Sequence, residues 1–257
     1  MKKWQLDAYK KMKQYIQEHI SGAHIKKIGS ILEPDELDIY SDVDLHIHLP
    51  YEAHFNAESF IKKLNEQFHP VLGYEIHNND KQSVLRICLN NGNRYDLTFN
   101  HEAANTQKPP NETFALKVNR TVNQFWFMAS QVLVKLGRGD YLIAAHLALE
   151  LCQLIIVVQM LDRDDLKGTN IHRFGDRENV PILHRLLMLE YSDLSSGENI
   201  VDEILRILFA SAQEMDDIAS RFDASYFQRT VVLGSLHSLY KHSVCEEEVG
   251  PENTGCI

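Results

Sequence analysis

The sequence predicts an α+β protein, with a mixed-sheet α/β domain over residues 1–108 and an all-α helical bundle over residues 109–245. Strand-like alternation of apolar and polar residues occurs only before residue 101, and everything after residue 112 has helical character. Between these parts, Pro109 and Pro110 disfavour helix and strand alike and therefore mark the boundary. The acidic end, residues 246–257, is predicted to be a disordered tail.

The elements of the first domain follow from their patterns in chain order. We expect helices over 4–19 and 58–68, and strands over 25–28, 42–49, 73–77, 84–89 and 94–99. Pro50 ends the second strand because proline cannot donate to a strand ladder. Asn91-Gly92, between two β-rich runs, is a strong hairpin signal.

The helical domain begins with apolar residues that recur at close to the helical period over 113–136. Gly137 and Gly139 end this helix, and Asp140 can cap the next one over 141–161. Further helices are predicted over 181–189, 199–221 and 224–240.

The composition argues against several kinds of partner. A net charge of −10 repels a polyanion, so we expect no nucleic-acid partner, whereas a small cation would be attracted. The four cysteines have no paired spacing and no signal segment is visible, so we expect a cytoplasmic protein with reduced thiols. The run 142–161 resembles a membrane span, but it contains His146, Glu150 and Gln153, which are costly in a bilayer. We therefore expect a buried bundle helix and no membrane partner.

The segment from Ile28 to Asp44 carries the clearest chemical signal. Ile28-Gly29-Ser30 is followed, after eleven residues, by Asp42-Val43-Asp44 on a predicted strand. Strand side chains alternate between faces, so both carboxylates project from the same face while the apolar neighbours enter a core. Mg²⁺ is typically held by one or two carboxylates plus substrate phosphates, and a Gly-Ser pair lets backbone amides approach a phosphate.

Asp96 supplies a third carboxylate if the returning arm of the hairpin pairs beside the Asp42–Leu49 strand. In that arrangement Asp96 can join Asp42 and Asp44 around a metal. The alternative is a solvated strand aspartate that pairs with Arg94 or another neighbour.

These motifs resemble the nucleotidyltransferase superfamily that includes DNA polymerase beta. The resemblance implies a magnesium-dependent enzyme in which Asp42, Asp44 and Asp96 hold two Mg²⁺ ions, while Gly29 and Ser30 orient a nucleoside triphosphate. The stretch Leu136-Gly137-Arg138-Gly139-Asp140-Tyr141, preceded by Phe-Trp-Phe, also resembles antibiotic nucleotidyltransferases of the lincosamide type and aminoglycoside 6-adenylyltransferases. That resemblance covers about residues 24–160 and implies a role in antibiotic resistance, with a small hydroxylated acceptor bound between a catalytic domain and a helical bundle.

A catalytic base is expected on the helix over 141–161, where His146, Glu150 and Gln153 share one face. If this face borders the cleft between the domains, Glu150 or His146 can take the proton from an acceptor hydroxyl, with a pKa drawn toward the working pH. The alternative is a buried Glu-His pair that has no catalytic role, whose members bond to each other or pair with Arg138 or Arg173.

A basic cluster over 167–177 includes Arg173 and Arg177. Arginine forks suit phosphate oxygens, so these two residues are candidates for holding the triphosphate. The alternative is a polar surface loop between helices.

Two other functions stay open at this stage. His46 and His48 share a strand face with the aspartates, which allows a zinc-dependent hydrolase, although four ligands along one strand span too far for one ion. A catalytically degenerate nucleotide-binding or antitoxin-like module is the non-enzymatic alternative. ATP is the expected triphosphate, while the acceptor and the oligomeric state are open, a homodimer being one possibility.

Overall fold

The computed structural model describes residues 4–32, 37–51, 55–79, 81–100, 113–167, 200–223 and 226–248. The chain divides into two compact units, Met1–Pro110 and Asn111–Ile257. The sequence places the domain boundary after residue 108, close to the division between these units.

The first unit contains a mixed five-stranded sheet, as the sequence predicts. Its elements are helix α1 (Trp4–His19), strand β1 (His24–Ile28), a 3₁₀ turn (Gly29–Leu32), β2 (Val43–His48), α2 (Ala57–Gln67), β3 (Val71–Asn78), β4 (Gln82–Leu89) and β5 (Arg94–Asn100). The strand order is β1-β2-β5-β4-β3. Strands β2 and β5 run parallel, and every other neighbouring pair is antiparallel.

One face of this sheet forms the core of the first unit. Val43, Leu45 and Ile47 on β2 are completely buried, and they belong to one cluster with residues of α1 and α2. Phe60 of α2 packs edge-to-face on Phe99 of β5, with ring centroids 5.4 Å apart. Burial of large apolar side chains, at roughly 1.5–3 kcal/mol each, is what holds the helices on this face. The polar residues of the same strands project from the opposite face of the sheet.

The described part of the second unit contains four helices, α3 (Phe114–Gly137), α4 (Tyr141–Lys167), α5 (Ile200–Phe222) and α6 (Thr230–Glu248). Thr113 caps α3 by accepting a hydrogen bond from the Leu116 amide, and Asp140 accepts from Ile143 at the start of α4 as predicted. Helix α6 extends to Glu248, so the first three residues of the tail that was predicted to be disordered, 246–248, are helical. The expected helix over 181–189 lies outside the described residues, so an all-helical second unit stays a prediction.

Helix α4 is less buried than its sequence suggests. It packs against α3 and α5, yet only 33% of its most apolar 18-residue stretch is buried. Leu142 near its start is 84% exposed. Within the described residues, α4 alone is long and apolar enough to cross a membrane by length and composition. The expectation of a buried bundle helix is therefore corrected: within the part of the chain that the structure describes, α4 has packing partners on only part of its surface, which its apolar composition did not reveal.

Candidate active site

Strand β2 presents Asp44 on the polar face of the sheet, as alternation predicts. Val43 and Leu45 on either side are completely buried, whereas Asp44 is half-buried. The neighbouring residues 38–41 form a turn in which the Ser41 hydroxyl donates to the Asp38 carboxylate at 2.7 Å and accepts from the Asp38 amide. This turn fixes the backbone immediately before Asp42 and the strand.

Asp96 lies beside Asp44 in the sheet. The two residues are direct partners in the parallel register of β2 and β5, so their side chains project from the same face. Asp42, half-buried and just before β2, is close enough to influence the ionisation of both. The structure thus brings the three predicted carboxylates to one region of the sheet.

Gly29 packs directly against the Asp44 carboxylate. It follows β1 with a φ of +64°, a left-handed conformation that favours glycine. A β-carbon at this position would overlap Oδ2 of Asp44 and lie 3.1 Å from its Cγ. Ser30 is the next residue of the same 3₁₀ turn and is half-buried. The absence of a side chain at position 29 therefore gives the Asp44 carboxylate its space.

The electrostatics of the site follow from this crowding. Partial burial, and then the like charges of Asp42 and Asp96, raise the pKa of Asp44 from its ordinary 3.8 to about 7. Burial also raises the pKa of Asp96, but Arg86 opposes that rise through its charge and a hydrogen bond. The cluster therefore holds more negative charge than its surroundings neutralise.

Arg86 is the site residue that the sequence did not identify. It lies on β4 directly opposite Asp96, and its Nε donates to Oδ2 of Asp96 at 3.1 Å. Arg94, which the sequence offered as a partner for Asp96, is instead 2% exposed and donates to the Tyr40 carbonyl. The register of the Asn-Gly hairpin is the signal that pairs Arg86 with Asp96, because a tight turn determines which residues face each other.

The donor set suits a divalent cation in kind, since carboxylate oxygens are the ligands that Mg²⁺ prefers. A cation between the three carboxylates would also relieve the repulsion that Asp42 and Asp96 exert on Asp44. Across the described ranges, however, no three His, Cys, Asp or Glu side chains are arranged to hold a metal ion. One of the three candidate metal ligands, Asp96, forms an ion pair with Arg86.

The histidines of β2 form no cluster suited to zinc in the part of the chain that the structure describes. His46 is close enough to Asp96 to lower its pKa slightly, and His48 lies with its ring 6.3 Å from that of His24. The hydrolase alternative therefore gains no support from the geometry.

The candidate base residues form a surface pair on α4. His146 Nε2 lies 3.5 Å from Glu150 Oε1, and the two side chains are 68% and 36% exposed. The alternative to a catalytic role was a buried pair of these two residues; the structure shows the pairing, but on the surface of α4. Arg173 and Arg177 lie outside the described residues, so their role in phosphate binding stays a prediction.

Comparison with known proteins gives weak structural similarities. No protein-family model matches the chain, and no curated protein matches it in sequence. An aminoglycoside 6-adenyltransferase from Bacillus subtilis matches with 13% identity and a TM-score of 0.35, over 95% of this chain and 99% of that one. The polymerase core of TRAMP, an RNA surveillance complex, matches with 11% identity and a TM-score of 0.28, over 79% of this chain and 55% of that one. At these values neither match assigns the chain to a family.

Proposed function

We propose that this protein is a nucleotidyltransferase that moves a nucleoside monophosphate, with ATP as donor, onto a hydroxyl of a small molecule and releases pyrophosphate. The observation that carries the proposal is the direct pairing of Asp44 with Asp96 on adjacent parallel strands. Asp42 adds a third charge, and Gly29 packs against the same carboxylate. Like charges are gathered at a cost in stability, which favours a functional role over a structural one.

In this proposal Asp42, Asp44 and Asp96 would hold Mg²⁺, which supplies charge neutralisation for a phosphoryl group under attack. Gly29 lets the chain approach a phosphate closely, and the Ser30 hydroxyl is available as a donor to it. Most of the rate enhancement would come from positioning and from fixed charge.

The acceptor is proposed to be a small hydroxylated antibiotic, a lincosamide or an aminoglycoside. The net charge of −10 favours the cationic aminoglycosides. Glu150, or His146 beside it, is proposed to receive the proton of the attacking hydroxyl. Arg173 and Arg177 are proposed to bind the triphosphate.

The test is a screen for pyrophosphate release with each nucleoside triphosphate, Mg²⁺ and a panel of antibiotics. Asp44→Asn should abolish turnover because it removes a ligand charge while keeping the side-chain shape. Asp7→Asn is the matched control, since Asp7 is an exposed carboxylate on α1 and should retain full activity. Undiminished turnover by Asp44→Asn would contradict the proposal.

A catalytically degenerate nucleotide-binding module is the second candidate. The absence, among the described residues, of three side chains arranged for a metal favours it. Saturable binding of a triphosphate, with no pyrophosphate released under any acceptor, would select this candidate over the transferase.

A further inference from the structure

A row of charged side chains crosses the sheet at the level of the candidate site. Asp44 on β2 faces Asp96 on β5, Asp96 faces Arg86 on β4, and Arg86 faces Glu75 on β3. Directly opposite residues project from the same face of a sheet, so these four groups form one line of neighbours. Arg86 is the only cation in this line and stands between two carboxylates.

The Arg86 guanidinium contacts both of these carboxylates, but unequally. Its Nε lies 3.1 Å from Asp96 Oδ2, within hydrogen-bond distance, and its Nη1 lies 3.8 Å from Glu75 Oε2, which is an ion pair of longer reach. The Arg86 side chain is 47% exposed, whereas Glu75 is 18% exposed and also faces His77 Nε2 at 3.3 Å. A guanidinium has five donors in a fork and can bind either carboxylate. Its exposure leaves it free to shift between them.

We propose that Arg86 is a positioning residue that acts as an internal counter-ion: it holds Asp96 when no divalent cation is bound, and transfers to Glu75 when a cation binds the aspartates. This inference rests on the proposed function, because it concerns the same three carboxylates. A divalent cation beside Asp96 would repel the guanidinium and compete with it for Oδ2. Glu75 is the second acceptor within reach. Arg86 therefore lowers the cation affinity of the free protein and keeps Asp96 oriented until a cation arrives.

The experiment measures Mn²⁺ binding to the full chain by isothermal titration calorimetry, without nucleotide and after treatment with a chelator. A pH of 8.5 keeps the carboxylates ionised in every variant. Arg86→Gln should bind Mn²⁺ about two- to fivefold more tightly, the range that corresponds to losing one exposed ion pair. Glu75→Gln should bind about two- to fivefold more weakly, because the guanidinium then has no second carboxylate.

A double-mutant cycle separates this transfer from a general effect of charge. A general effect of charge would make Glu75→Gln weaken cation binding equally with and without Arg86, whereas the transfer requires Arg86. If the transfer causes the weakening, Glu75→Gln should leave Mn²⁺ affinity nearly unchanged when Arg86→Gln is already present. Equal weakening in both backgrounds, or unchanged affinity in Arg86→Gln, would overturn the role of Arg86.

Two controls keep this outcome distinct from failure of the proposed function. Asp44→Asn should abolish Mn²⁺ binding; if it does so while Arg86→Gln binds like the natural protein, only the role of Arg86 fails. If the natural protein and Arg86→Gln both bind no Mn²⁺, the counter-ion role and the proposed metal site fail together. Circular dichroism verifies folding, and Arg86→Met, of similar length and without charge, repeats the test if Arg86→Gln does not fold.

Discussion

The carboxylate of Asp44 rests against the α-carbon of Gly29, in space that any other residue at position 29 would fill with its β-carbon. This contact links the Gly-Ser turn after β1 to the first aspartate of β2, two motifs separated in the sequence by residues 31–43. The spacing between the motifs thus has a physical reason: the chain must return along β2 so that the carboxylate reaches the glycine.

Gly29→Ala should therefore damage the site beyond the strain of its backbone. The substitution meets both a left-handed φ of +64° and the Asp44 carboxylate, and we expect it to abolish pyrophosphate release. Gly139→Ala is the matched control, since Gly139 has a φ of +73° with nothing within 4 Å of an added β-carbon. The control should lose only about 1 kcal/mol of the free energy of unfolding and keep its activity. Equal effects of the two substitutions would contradict the contact.

Stability of the first unit should fall as the pH rises from about 4 to about 7. The pKa of Asp44 is about 7 in the folded protein and near 3.8 when the chain unfolds, so the folded state binds the extra proton in this range. Above pH 7 the folded state holds the unfavourable charge. Asp44→Asn, which imitates the protonated form, should then be more stable than the natural protein at pH 8 by about 1–2 kcal/mol after allowance for solvent screening.

This difference is measured by urea unfolding in the presence of a chelator. In a Trp126→Phe background, Trp4 is the remaining tryptophan and reports on the first unit. The natural protein and Asp44→Asn should have nearly equal stability at about pH 3, below the unfolded pKa of 3.8. A difference in the free energy of unfolding that is the same at about pH 3 and at pH 8 would show that the ionisation of Asp44 does not cause it.

Among the described carboxylates of the second unit, Asp216 should be the most sensitive to substitution. It is 2% exposed on α5 and accepts hydrogen bonds from the Tyr226 hydroxyl and from the Arg229 and Thr230 amides, so it caps α6. Asp216→Asn should cost about 3 kcal/mol of the free energy of unfolding, because buried donors lose a charged acceptor. Asp217→Asn, at the exposed neighbouring position, should cost less than about 0.5 kcal/mol. Thermal unfolding followed by circular dichroism compares the two.

Substitution of Glu150 distinguishes a catalytic base on α4 from a surface ion pair without a catalytic role. If it receives the proton of the acceptor, Glu150→Gln should lower kcat by about 10²–10⁴. The free energy of unfolding should change by less than about 1 kcal/mol, because its pair with His146 is exposed. Gln153→Ala, one turn further along the predicted polar face, is the control. If Glu150→Gln and His146→Ala both keep a normal kcat, this helix provides no base.

The local elements of the first unit were predictable because their signals are local. Alternation over 42–49 predicts the buried face of β2, and Asn91-Gly92 predicts the hairpin of β4 and β5. The parallel pairing of β2 with β5 was only a condition in the sequence argument, since pairing between distant segments leaves no local pattern. Arg86 was missed for a related reason: its role depends on the residue across the hairpin, not on its neighbours in the chain.

The second unit was less predictable because its boundaries depend on tertiary contacts. Helix α6 begins at Thr230 rather than at the predicted residue 224, because Tyr226, Arg229 and Thr230 bind Asp216 of another helix. The exposure of α4 could not be predicted from the sequence either. Periodicity shows which residues of a helix can be buried, but it does not show how many neighbours the helix packs against.

The parallel register of β2 and β5 also bears on how the chain renatures. Asp44 and Asp96 are distant in sequence, and such pairings form slowly compared with a local hairpin. Repulsion between the two aspartates is therefore absent in the early stages of folding. It opposes the later step in which β2 pairs with β5. Dissolved salt screens such repulsion, so refolding of the first unit should quicken as ionic strength rises.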